Sequence, residues 1–84
     1  MPKSAVFTVT TTAAVIVAAN RGDQIAHLHS SSGTLYIGGS DLTVANGYRL
    51  DNGDKLTVEI GDNEALYAMT SSGTATLYVL SQVN

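Results

Sequence analysis

An all-β fold is predicted for this 84-residue chain: a small single-domain antiparallel β-sandwich, or jelly-roll-like barrel, of about eight short strands. Three observations predict it. Short runs rich in Val, Ile, Leu, Tyr and Thr recur along the chain, clusters of Gly, Asn, Asp and Ser separate them roughly every 8 to 12 residues, and no segment sustains an amphipathic helical stripe.

The first strand covers Ala5 to Val9, with residues 1–4 expected as a flexible N-terminal arm. "AAVIVAA", Ala13 to Ala19, is the second; its alanines leave a helix open for Thr12 to Ala19, but the β-branched centre and the short length favour a strand. After the "NRGD" turn, "QIAHLHS" alternates Ala26 and Leu28 with Ile25, His27 and His29 on the other face. "TLYIGG" places Leu35 and Ile37 together, and "DLTVANG" reads as a short strand closed by the Asn46-Gly47 turn pair. "DNGD" turns the chain into "KLTVEI", where Leu56, Val58 and Ile60 alternate with Lys55, Thr57 and Glu59. "GDNE" leads into "ALYAMT", and "SSGT" leads into "ATLYVLSQV". The segments "IAHLHSSSGTLYI" and "ALYAMTSSGTATLYVL" echo one another at an offset of 40 residues, and two similar hairpins are the simplest description.

A domain of this length buries only roughly 60 to 65% of the surface of its unfolded chain. Without a single cysteine it has no disulfide to compensate, which favours oligomerisation or docking on a larger body. Charged residues make up 13% of the chain, about half the usual share, so much of the surface is Thr, Ser, Asn and Gly. The net charge of −3 and the lack of any basic cluster argue against nucleic acid as a partner. No membrane or secretion signal is read either: "MPKSAVFTV" has no continuous apolar core, and Ala13 to Ala19 is too short to span a bilayer.

His27 and His29, at i and i+2, carry the sharpest chemical pattern, since one strand face can present two imidazoles to a metal. With no third His and no Cys, they are read as polar positions on an exposed or subunit-facing side, and neither a metal site nor a cofactor is expected. "DNGD" and "GDNE" lack the calcium-loop spacing, "SSSG" and "SSG" lack a nucleophile elbow, and "YIGGS" lacks the helix and lysine of a phosphate loop. Arg21-Gly22-Asp23 is explained by a turn. No constellation supplies acid, base and nucleophile, so no enzyme is expected. Tyr36, Tyr67 and Tyr78 each follow a leucine inside a strand, which turns them outward if the leucines face in. With Tyr48, His27 and His29 they form the candidate interface set, favoured over a sugar platform because no tryptophan accompanies them.

Tyr36 to Asp41, Asn46, Gly47, Leu50, Gly53, Leu56, Leu66 to Ala68 and Ser72 to Ala75 together form a pattern, spanning Thr34 to Leu80, that resembles small virion proteins of tailed bacteriophages. The resemblance implies a non-enzymatic structural protein of the capsid decoration (cement) type. It implies the major capsid protein as partner, a homo-oligomer with a trimer favoured, and a place on the outer capsid surface of the virion after synthesis in the host cytoplasm. The N-terminal third carries none of the pattern. A carbohydrate- or receptor-binding module on a phage head or tail appendage, and a tail or connector component, are the alternatives.

Overall fold

The computed structural model describes residues 2–19 and 21–83. The strands are β1 (Pro2–Val9), β2 (Ala14–Val17), β3 (Gln24–Ser32), β4 (Leu35–Gly38), β5 (Tyr48–Leu50), β6 (Lys55–Ile60), β7 (Leu66–Met69) and β8 (Ala75–Val83). They form two four-stranded antiparallel sheets, ordered β1-β8-β3-β6 and β2-β7-β4-β5. This is jelly-roll order.

Alternation builds the core from both inner faces. β8 turns Ala75, Leu77 and Val79 inward, β3 turns Ala26 and Leu28 inward, and β6 contributes Ile60 with half-buried Leu56 and Val58. The facing sheet supplies Leu35, Ile37, Leu50, Leu66 and Ala68. In β2 the register shifts between Val15 and Val17, and the resulting irregularity lets consecutive Ile16 and Val17 both bury. Buried Gln24 donates from Nε2 to the Ala18 carbonyl at 3.0 Å. Sandwiching gives a flat body of 33 × 23 × 16 Å.

Three expectations are corrected. The two "SSGT" segments are corners, not hairpins, because β3 and β4 lie in different sheets and so do β7 and β8. Among the described residues only the β4–β5 connection joins neighbours in one sheet. Each corner has the same construction: a fully buried hydroxyl, Ser30 or Thr70, donates to the carbonyl of the glycine three residues on, at 3.3 Å for Gly33 and 2.9 Å for Gly73. Both glycines have positive φ, +72° and +66°, which a side chain would disfavour. Read backwards, the second sheet is β5-β4-β7-β2, so each strand of the first half corresponds to the strand four later, and the 40-residue echo falls on equivalent corners.

The segment "DLTVANG" is not a strand. Residues 39–47 form a turn-rich loop clamped by Asn46, whose Oδ1 accepts from the Thr43 amide at 2.8 Å and whose Nδ2 donates to the Asp41 carbonyl at 3.1 Å. Leu42 buries outside the main core, close to Gly38 and Gly47, and β5 begins only at Tyr48. The side-chain amide competes for the backbone groups that a strand would have used. Finally, residues 2–4 of the expected arm belong to β1: Pro2, Lys3 and Ser4 are registered against Gln82, Ser81 and Leu80. The long C-terminal strand provides the partner, and Met1 lies outside the described residues.

Candidate functional site

The six residues singled out from sequence fall on different surfaces. Tyr78, His27 and His29 share the outer face of the β1-β8-β3-β6 sheet, where register sets His29 beside Tyr78 and His27 beside Leu80. The His29 and Tyr78 rings stack, with centroids 6.2 Å apart and planes inclined by 26°. His27 Nδ1 lies within hydrogen-bonding distance, 3.1 Å, of Thr57 Oγ1 on β6. Tyr36 and Tyr67 are half-buried on the outer face of the opposite sheet, and Tyr48 is exposed at the start of β5. No single tyrosine platform exists among the described residues.

What the first of these faces does gather is apolar surface. Val6 on β1 is 61% exposed and sits opposite Tyr78, which is 45% exposed; Leu80, 44% exposed, sits opposite Ser4. With His27, His29 and the neighbouring Lys55 they line a shallow concavity. Val6 and Leu80 were not singled out from sequence. The signal was present in "ATLYVLSQV", where apolar residues occupy both parities of the strand, so one face of β8 must turn apolar side chains to solvent.

Acidic charge lies elsewhere. Six of the seven acids are in loops, and Asp41 and Glu64 meet with Ser40, Asn63 and Tyr67 in a polar recess at one end of the sandwich. The Gly22 amide donates to Asp62 across the loops. Near the other end Arg49 and Asp51 pair at 2.8 Å, both well exposed. That hydrogen bond and charge hold the Arg49 guanidinium above its ordinary pKa.

Among the described residues no group of three or more His, Cys, Asp or Glu side chains is placed to hold a metal ion, and no helix is long and apolar enough to cross a membrane. His27 and His29 project from one strand face.

No protein-family model matches the chain, and no curated protein matches it. A solved structure described as "Bacillus endospore appendages form a novel family of disulfide-linked pili" has the same fold, with a TM-score of 0.69 over 96% of this chain and 81% of that one. The two are 16% identical. The likeness is one of fold.

Proposed function

We propose that this chain is a non-enzymatic structural subunit of a bacteriophage virion, a decoration protein that docks on the outer surface of the capsid and stabilises the shell. The exposed strip of Val6, Tyr78 and Leu80 on one broad sheet face carries this reading, together with the phage-like pattern between Thr34 and Leu80. The broad face of the molecule, 33 by 23 Å, is the size of one partner's footprint in a standard interface, about 800 Å². Its make-up, apolar and aromatic at the centre with Ser, Thr, His and Lys around, suits a protein partner. A subunit that binds across a seam of the closed shell, and not to the opened one, stabilises the closed particle by mass action. The major capsid protein is the partner, and no catalysis, cofactor or metal is needed.

Quantitative mass spectrometry of purified particles tests it, by counting the tryptic peptide Leu56 to Asn84 against the major capsid protein. Copies comparable with the capsid subunit support decoration. A handful per particle would move the chain to the tail or connector, and absence from particles would end the virion reading.

A second reading, a self-assembling filament subunit, is favoured by the pilus neighbour. With no cysteine this chain cannot form a disulfide-linked filament, so assembly would rest on non-covalent contacts. Filaments formed by the purified chain and seen by electron microscopy would select it.

A further inference from the structure

The four sheet edges are β1 and β6 in one sheet and β2 and β5 in the other. An edge strand presents unpaired N–H and C=O groups, and folded proteins blunt such edges by shortness, bulges or charge. Three of these edges are blunted. β5 is three residues long, carries Arg49 and is followed at once by its ion-pair partner Asp51; β2 is four residues long and irregular between Val15 and Val17; β6 exposes Lys55 and Glu59.

β1 is not blunted. It runs for eight residues in unbroken register with β8, and its one charge, Lys3, stands near its start. At its middle, Val6 is 61% exposed beside Tyr78. The outer flank of β1 therefore offers a long row of backbone donors and acceptors next to an apolar strip.

We propose that β1 is the site at which this chain binds a second copy of itself. The two β1 strands lie antiparallel about a two-fold axis and join the two β1-β8-β3-β6 sheets into one continuous eight-stranded sheet. Self-complementarity selects a second copy as the occupant. With the register centred on Val6, valine meets valine and Ser4 meets Thr8 on the outer face, while small Ala5 meets large Phe7 on the inner one. The two Lys3 residues lie at opposite ends, each across from Val9, about 20 Å apart. Such an isologous contact closes at two copies, so it departs from the trimer implied by the phage resemblance and depends on neither the capsid nor the filament reading.

The test is native mass spectrometry and sedimentation of the whole chain up to about 100 μM, a range in which a micromolar contact is fully populated. The expected species has twice the 8.7 kDa chain mass. Hydrogen exchange should then show β1 amides whose protection rises with concentration. Val6→Lys with Thr8→Lys, both at exposed positions, should return the mass to one chain and abolish that protection while the circular dichroism of the sandwich persists. Should that pair not fold, Ser4→Lys on the same exposed face of β1 serves in its place. Leu80→Lys, on the same sheet face but on the inner strand β8, should leave the dimer intact. A wild-type monomer at the highest concentration, a trimer, a dimer that survives in the folded β1 variant, a dimer dissolved by Leu80→Lys, or protection arising in β6 rather than β1 would each overturn the proposal.

Discussion

The direction in which β8 faces decides whether this molecule has an apolar docking surface at all, and two truncations measure it. Leu77 is 0% exposed on an inner strand, registered with Phe7 of β1 on one side and Ser30 of β3 on the other. Leu77→Ala removes three carbons, roughly 2.4 kcal/mol of transfer energy at 0.8 kcal/mol each. The cavity left between the sheets adds to this, for an expected loss of about 3 to 4 kcal/mol. A domain of this length has roughly 4 to 13 kcal/mol in total. Leu80→Ala removes the same atoms three residues along the same strand, but from a side chain 44% exposed on the other face, and should lose less than about 1 kcal/mol. In urea, with a slope of about 1 kcal/mol per molar for so small a domain, the midpoint falls by about 3 M for Leu77→Ala and by less than 1 M for Leu80→Ala. Both are read at one low protein concentration, because self-association would otherwise contribute to the apparent stability. Equal midpoint shifts, or a larger shift for Leu80→Ala, would refute the facing of β8 and remove the apolar strip on which the docking reading stands.

Two further substitutions probe the β4–β5 loop and the strand after it. Gly47→Ala would set a methyl 2.6 Å from Tyr36 Cβ and 2.7 Å from Leu42 Cδ1, and should destabilise by about 1 to 3 kcal/mol, lowering the melting temperature by about 4 to 8 °C for each kcal/mol. A wild-type melting temperature in this variant would show that the loop does not pack Leu42 beside Gly47. Arg49→Ala breaks an ion pair whose side chains are 63% and 55% exposed, so the melting temperature should not move measurably; a clear fall would mean the pair is shielded from solvent.

Much of the local structure is legible in the sequence. The alternation in "QIAHLHS" and "KLTVEI", and the leucine before Tyr36, Tyr67 and Tyr78, predict the inward and outward faces that β3, β4, β6, β7 and β8 adopt. "DLTVANG" misleads because its apolar residues suit a strand while the Asn46 side chain ties the backbone into a turn, and period-two patterning does not register that competition.

Strand facing in β3 and β6 is determined by the sequence alone because period two is a local property: where polar and apolar residues alternate, their polarity settles which side of the strand meets water. The absence of cysteine likewise settles, from composition, that no disulfide holds this domain or joins it to another. Only the tertiary structure decided which strands are neighbours. A Ser-Ser-Gly-Thr turn satisfies its own backbone equally well in a hairpin or at a corner between sheets, so the choice falls to non-local pairing, in which β1 meets β8 from the far end of the chain. That pairing places Val6 beside Tyr78, divides the tyrosines between two faces, and leaves β1 as the open edge.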